Sequence, residues 1–321
     1  MRTIVCTEIG SPDLLTIEDR PALEPSAGQL VIDVKAAGVN FVDGLFVLGK
    51  YQIKPPLPFT PGSEVAGIVS AVGPGVNAFA AGDRVLASCG LGGFSEQIAA
   101  FPEQVQRIPG TLDFARAATC MQSYCTAWFA LTRRTTLQSG DALLVLGAGG
   151  GVGLAAVDVG RSLGARVIAA ASSEDKRAAA TAAGAAVVVD STATDLKDRI
   201  RQVGGIDVAY DPVGGELSEV ALRVLAPSGR LLVIGFAAGP IPRLPLNHIL
   251  LRNRSVIGVD WGAWSMADPD ANRSMLAVVL ARIGDGTLSP VAPREYPLAE
   301  AGRALHDQLE RRVTGKAVLV V

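Results

Sequence analysis

The run Leu143-Leu144-Val145-Leu146-Gly147-Ala148-Gly149-Gly150-Gly151-Val152-Gly153-Leu154 constrains this chain more than any other. Its large apolar residues call for a buried strand, the glycines cannot continue that strand, and the segment beyond them has helical composition. A strand that passes through a bare turn into a helix presents free N–H groups and the positive end of a helix dipole, a pairing that suits phosphate. Without side chains in the turn a pyrophosphate can approach the backbone, and Gly153 allows close packing of helix on strand. The strict G-x-G-x-x-G pattern is not met, since the best register is Ala148-x-Gly150-x-x-Gly153, with alanine in the first place. A turn of this kind standing alone is weak evidence, and the competing reading is a glycine-rich turn that binds nothing.

Context decides between the two. Six short apolar runs of strand type follow one another: Ala142–Leu146, Arg166–Ala170, Val187–Val189, Ile206–Tyr210, Arg230–Ile234 and Ser255–Val259. Helical segments separate the first five, at Val152–Leu163, Glu174–Ala183, Asp195–Gln202 and Glu216–Leu225. Such alternation predicts an α/β fold with a doubly wound parallel sheet, and six strands complete a Rossmann dinucleotide-binding domain. Upstream, Gln29–Val34, Gly67–Ala71 and Arg84–Ala87 read as strands among Pro- and Gly-rich turns, as in a compact, mainly β domain. After Trp261 the alternation stops. Asn272–Ile283 and Leu298–Arg311 read as amphipathic helices and Lys316–Val321 as a closing strand. That tail is too short for a core of its own. The expected division is therefore 1–123, 124–262, and a return of 263–321 to the first domain.

A formal net charge of −2 gives no electrostatic case for nucleic acid as a partner. The first residues lack a signal peptide's apolar run, no uninterrupted stretch is long enough for a bilayer, and the four cysteines show no paired spacing. Reduced thiols, a cytoplasmic location and no membrane partner are the expectations.

The second strand bears on the cofactor. An NAD enzyme usually has an Asp or Glu about 20 residues beyond the glycines to hold the ribose hydroxyls. This chain has Ala170-Ala171-Ser172-Ser173, then Lys176 and Arg177. Hydroxyls and two cations suit a 2′-phosphate, so NADPH is predicted. A structural reading is compatible with it: Ser172 caps the next helix, Glu174 and Asp175 lie in its first turn, and Lys176 is solvated.

Several marks in order resemble the zinc-independent quinone oxidoreductases, the zeta-crystallin-like family of the medium-chain dehydrogenase/reductase superfamily. They are Ala37-Gly38-Val39-Asn40-Phe41-Val42-Asp43, Gly49-Lys50-Tyr51-Gln52 through Phe59, and Pro61-Gly62-Ser63-Glu64-Val65-Ala66-Gly67. Ala81-Gly82-Asp83-Arg84-Val85, the glycine turn and Tyr210-Asp211-Pro212-Val213-Gly214-Gly215 complete the set, which spans essentially the whole chain. The resemblance implies a GroES-like catalytic domain, discontinuous in sequence, with acceptor and nicotinamide meeting in an interdomain cleft. It implies that zinc-dependent relatives have Cys where Asn40 stands and His where Ser63 stands, although Asp43 and Glu64 remain. His248 and His306 are the only histidines, and no tetrahedral N/S set assembles from the sequence, so no metal is expected.

By the same resemblance Asn40 lies near the nicotinamide, and Tyr51 lines the acceptor site and donates a hydrogen bond to a developing oxyanion. The competing view of Tyr51 is an aromatic on a mobile loop with no proton role. Tyr124-Cys125-Thr126-Ala127 matches the family's Tyr-Gly-Thr-Ala segment at the nicotinamide, with Cys125 for glycine; Cys120 and Cys125 are read as small buried residues. The turn Ala148, Gly149, Gly150, Gly151, Val152 would hold the pyrophosphate, with Ser172, Ser173, Lys176 and Arg177 at the 2′-phosphate. Val213, Gly214, Gly235, Phe236 and Ala237 follow strand ends at the carboxyl edge, where ligands lie in such sheets. Val259 and Trp261 leave the sixth strand, and Trp261 is a candidate for the acceptor site. Some relatives have Asn-Tyr-Arg after the third strand; this chain has Asp190-Ser191-Thr192, a departure at the 2′-phosphate end.

The activity so implied is metal-free hydride transfer from NADPH to a quinone. The alternative is reduction of activated alkenes (enones, alkenals or enoyl thioesters), and a reading of another class is a non-catalytic NADPH-binding, structural or RNA-binding protein. An alcohol dehydrogenase is disfavoured by the missing Cys and His. A homodimer through the sixth strand at the sheet edge is expected.

Overall fold

The apolar runs of the second half assemble into one six-stranded sheet whose neighbours are all parallel. In space the order is Val187–Asp190, Arg166–Ala171, Ala142–Leu146, Ile206–Asp211, Leu225–Val233 and Ser255–Gly258. The first and fourth strands of the series lie side by side, so the winding reverses between them; such a switch point leaves a crevice at the carboxyl ends. The first strand is buried along its whole length, as its unbroken apolar sequence requires. Helices Gly151–Ser162, Glu174–Ala182, Leu196–Val203 and Glu216–Val224 alternate with the strands, each within two residues of its sequence-based bounds. Ile200 and Leu222 from two of these helices close over Leu144, Ile168 and Leu231 of the sheet.

The computed structural model describes residues 1–321, which divide into two units, Met1–Met121 with Ala292–Val321 and Gln122–Val291. The return to the first unit therefore begins at Ala292 and not at 263, and the cause is packing after the sixth strand. Helix Pro269–Gly284 buries Met275, Leu276, Val279, Leu280 and Ile283 in the second unit. Trp264 stacks on Phe129 at 4.7 Å. The buried Asp158 carboxylate accepts both the Ser289 N–H at 2.6 Å and the Tyr124 hydroxyl at 2.8 Å. An expected amphipathic tail is thus a structural part of the nucleotide-type domain.

The first unit carries the mainly β fold. Its seven-stranded sheet runs Arg294–Pro297, Ala317–Val320, Leu30–Val39, Glu64–Val72, Arg84–Ser88 and Val105–Arg107, with Gln97–Ala100 also paired to Leu30–Val39. All pairs are antiparallel except the first two strands named. Two registers matter for chemistry. Ala317 lies opposite Val39, and Gly38 opposite Glu64, which brings Lys316, Asn40 and Glu64 to one end of the sheet. A side chain on Gly38 would be driven into the Ala118 carbonyl and the Glu64 carboxylate, so this register needs glycine. Asn40 then ends the strand as the N-cap of a short helix, Phe41–Val47, that the hydrophobic pattern does not reveal. Its backbone N–H donates to Asp43 Oδ2 at 2.8 Å. An N-cap residue followed three positions later by an acid is the sequence signal for such a helix.

Candidate active site

At the glycine turn the positive φ falls on Gly147 (57°), one residue before the alanine that breaks the motif. Ala148 is buried and its N–H donates to the Ala170 carbonyl at 3.1 Å, so alanine costs nothing there. Gly150 N–H closes the turn on the Gly147 carbonyl at 3.0 Å. Gly150 is also the N-cap of the helix and has no side chain to offer. The N–H groups of Gly151, Val152 and Gly153 therefore begin the helix uncapped, an arrangement that invites an anion. A Cβ on Gly153 would collide with the Gly147 carbonyl, and one on Gly149 with the stem of Lys176.

Two loops gather beside this turn. Val213 Cγ2 lies 2.8 Å from where a Cβ on Gly147 would sit, and the Phe236 ring is 3.0 Å from the equivalent point on Gly214. The organiser is Asp211, which is buried and which sequence reasoning treated only as part of a motif. Its Oδ1 accepts the N–H groups of Val213 and Gly214, each at 2.9 Å, and its Oδ2 accepts the Ser218 hydroxyl. The Ala237 and Ala238 N–H groups donate to the Pro212 and Val213 carbonyls at 3.1 and 2.8 Å, so the Gly235–Ala237 loop is tied to its neighbour.

After the second strand, the helix cap is Ser173, which accepts the Lys176 N–H at 3.4 Å; the expected cap, Ser172, is exposed. The cap is the last extended residue before Glu174, with φ −132°, and that residue is Ser173. Arg177 Nη1 donates to the Ala171 carbonyl at 3.2 Å and lies 3.4 Å from Asp190 Oδ2. Asp190 sits well below the usual carboxylate range, chiefly through the Thr192 hydroxyl and N–H, then through Arg177. Ser172, Ser173, Lys176 and Arg177 thus stand together beside the turn. Thr126 Oγ1 donates to the Gln122 carbonyl at 2.6 Å, and the Trp261 indole N–H to Asn272 Oδ1 at 2.9 Å. Cys120 and Cys125 are fully buried, and burial pushes the Cys120 thiol far up, which leaves it a packing residue.

In the first unit, five polar side chains converge. Asn40 Nδ2 donates to Glu64 Oε1 at 3.1 Å and to Ser63 Oγ at 3.2 Å. Lys316 Nζ donates to Asn40 Oδ1 and lies 3.3 Å from Glu64 Oε1. Asn40, Asp43, Glu64 and Lys316 are buried, and Ser63 is half-buried. Asp43 is pushed up to about 7, mainly by burial; the Asn40 N–H and the Lys316 charge pull the other way. Its Oδ1 is buried without a hydrogen-bond partner. Tyr51 sets its ring edge against Phe46, centroids 4.8 Å apart, and its hydroxyl has no partner within the protein. Sequence reasoning missed Lys316, whose residue type carries no signal; only the register of the closing strand reveals it.

The comparisons with known proteins match both halves. The family described as alcohol dehydrogenase GroES-like domain matches residues 26–128, and that described as zinc-binding dehydrogenase matches 151–278. The chain is 36% identical to quinone oxidoreductase-like protein 2 homolog of Nematostella vectensis, over 99% of this chain and 88% of the relative. It is 34% identical to quinone oxidoreductase of Mus musculus, over 100% and 98% of the two chains. The chain belongs to the quinone oxidoreductase family. Among solved structures it is similar to the quinone oxidoreductase of Thermus thermophilus, known also in complex with NADPH, with 34% identity, full coverage of both chains and a TM-score of 0.85. It is also similar to the CurK enoyl reductase, with 27% identity, coverage of 99% and 98%, and a TM-score of 0.88. The family lies in the medium-chain dehydrogenase/reductase superfamily, so the protein is an oxidoreductase with a GroES-like domain and a Rossmann domain.

One of the family descriptions names zinc, and the residues here do not fit that ion. At the two positions where zinc-dependent relatives are expected to carry Cys and His stand an amide and a hydroxyl. Both Asn40 Nδ2 hydrogens are given to Glu64 and Ser63, and a lysine ammonium already sits on the amide oxygen and the Glu64 carboxylate. A metal ion would have to displace that internal cation from its only buried anionic partner in hydrogen-bond range.

Proposed function

We propose that this protein is an NADPH-dependent, metal-free quinone reductase, with the second unit holding the cofactor and the first acting on the acceptor. The observation that carries the cofactor reading is the uncapped helix start at Gly151–Gly153 beneath a turn in which Gly149 and Gly153 tolerate no side chain. Of the turn Ala148–Val152, the backbone N–H groups of Gly149, Gly151 and Val152 are assigned to the pyrophosphate, while Ala148 and Gly150 shape the turn with theirs. Ser172, Ser173, Lys176 and Arg177 are assigned to the 2′-phosphate; Ser173 accepts at its oxygen as a cap and keeps its proton to donate. Val213, Gly235, Phe236 and Ala237 are assigned to the walls beside the turn. Thr126 has spent its proton on Gln122, so it serves a ligand as an acceptor. Trp261 has spent its N–H on Asn272, so only its ring face is available to an acceptor molecule.

When bound, NADPH supplies a hydride. Quinones delocalise the charge that arrives with it, so the protein mainly has to orient the partners and exclude water. Asn40 and the free Tyr51 hydroxyl are assigned to this end of the reaction. A second reading, reduction of activated alkenes, is favoured by the likeness to an enoyl reductase, which fits the same cofactor chemistry. Initial rates of NADPH oxidation with a benzoquinone, an enone and an acryloyl thioester separate the two. A rate with the quinone alone supports the proposal, a rate only with the alkenes replaces it, and none with any acceptor overturns both.

Assembly as a homodimer is part of the proposal. The strand Ser255–Gly258 ends the parallel sheet, and near it in sequence Ile241, Leu246, Leu250 and Leu251 are each about three-quarters exposed. Apolar side chains in that number beside an unpaired edge are a liability unless covered.

A further inference from the structure

The buried polar cluster of the first unit has a direction, and the hydrogen-bond inventory gives it. A primary amide has two N–H donors and one carbonyl oxygen. Asn40 gives one donor to Glu64 and the other to Ser63, and its oxygen receives the Lys316 ammonium. Its orientation is therefore fixed: a flipped amide would set an NH2 group against an ammonium and an oxygen against a carboxylate. Toward any ligand Asn40 has only one remaining acceptor lone pair and no donor. The next group along the chain is the Ser63 hydroxyl, which accepts from Asn40 and keeps its own proton. Ser63 is also the one member of the five that is not buried. Its backbone is pinned, because its carbonyl accepts the Cys89 N–H at 2.9 Å and the Gly90 N–H at 3.3 Å.

We propose that Lys316 is a positioning residue that acts as a built-in cation, polarising Asn40 and, through it, the Ser63 hydroxyl, which donates to the acceptor oxygen as negative charge develops there. The chain runs from ammonium to amide to hydroxyl, each bond strengthening the next in a site of low dielectric. As hydride reaches the acceptor, an electron pair moves onto its carbonyl oxygen, and the Ser63 O–H stabilises that charge by hydrogen bonding. The Ser63 proton has one competing recipient, the Asp43 carboxylate, which it faces. Burial raises Asp43 to about 7, so about half of it is protonated near neutrality, and in that fraction the hydroxyl is released to the ligand. The unpartnered Asp43 Oδ1 agrees with this, since a buried lone oxygen is tolerated better on a neutral carboxyl than on a carboxylate.

The inference rests on the reductase reading above, and the test keeps the two apart. Lys316→Met, Lys316→Arg, Ser63→Ala and a charge-neutral Glu64→Gln/Lys316→Met pair are compared with the parent for NADPH affinity by nicotinamide fluorescence and for turnover with a quinone. The expected result is a loss of about 100-fold in kcat for Lys316→Met and for Ser63→Ala, with NADPH affinity unchanged and partial rescue by arginine. The charge-neutral pair, which leaves no unpaired buried charge, keeps the fold and shows the same loss. Parent-like kcat in the charge-neutral pair or in Ser63→Ala overturns the inference while the reductase reading stands. Should the parent itself show no turnover, the reading fails first. The amide lock is then judged by the Asn40 side-chain 15N resonances, which shift on Lys316→Arg if Lys316 holds the amide and stay put if it does not.

Discussion

Replacing Asp43 by asparagine isolates the cost of a buried carboxylate. In the folded chain Asp43 is raised from the ordinary 3.8 to about 7, first by burial and then by the Glu64 charge, against the pull of the Asn40 N–H, the Lys316 ammonium and the Ser63 hydroxyl. In the unfolded chain it ionises near 3.8. Between those limits the folded state binds the proton and the unfolded state does not, so stability falls as pH rises. The loss starts near pH 4, accumulates at about 1.4 kcal/mol per pH unit and levels off near pH 7, for a total on the order of 4 kcal/mol. Asparagine keeps the acceptor for the Asn40 N–H and has nothing to titrate. The difference in melting temperature, Asp43→Asn minus parent, should therefore grow from pH 4 to pH 7 and then flatten. At about 2–4 °C per kcal/mol for a domain of this size, the total change is on the order of 10 °C. Differential scanning fluorimetry across pH 4–9 reads it directly, and the other carboxylates cancel in the difference. A flat difference, or one that shrinks with rising pH, refutes the reasoning.

The remaining predictions concern the second unit. Gly153→Ala drives a methyl into the Gly147 carbonyl, so saturable NADPH fluorescence enhancement should be lost while the first unit's melting is unaffected. Arg177→Ala should weaken NADPH binding about 10- to 100-fold, the worth of a charge-assisted hydrogen bond, and leave NADH binding unchanged; equal effects on both cofactors would remove Arg177 from the 2′-phosphate site. Leu250→Glu with Leu251→Glu places charge on side chains that are three-quarters exposed, and sedimentation velocity should show monomers where the parent shows dimers.

The parallel sheet was legible because its strands are continuous apolar runs and helical segments separate the first five, a pattern few other folds produce. Bounds moved by a residue or two at most of these elements, but the fifth strand begins at Leu225, five residues before the Arg230 that opens its apolar run. The sequence ends the preceding helix at Leu225, and that residue opens the strand instead because Ile206 pairs with it before the register shifts to Val208 and Arg230. The tail could not be placed from its own pattern. Trp264 and Ser289 are fixed by Phe129 and by Asp158, partners more than a hundred residues away in sequence. The same holds for the site. The glycines announce the turn proposed to take phosphate because their chemistry is local, whereas Asp211 and Lys316 meet groups that only the fold brings to them.

Charge arithmetic accounts for the raised ionisation of Asp43. The first unit keeps two buried carboxyl groups, Asp43 and Glu64, at one end of its sheet. A divalent cation among them would neutralise both as carboxylates. Lys316 brings a single positive charge, and it sits on Glu64, not on Asp43. With both acids ionised, the cluster would hold one net negative charge away from water, which is costly. The inexpensive state is one carboxylate, one ammonium and one neutral carboxyl. Since Glu64 has the ammonium within 3.3 Å and also accepts the Asn40 amide, the proton falls to Asp43. The raised ionisation of Asp43 thus follows from its burial and from the Glu64 charge beside it, with a single ammonium to offset two acids.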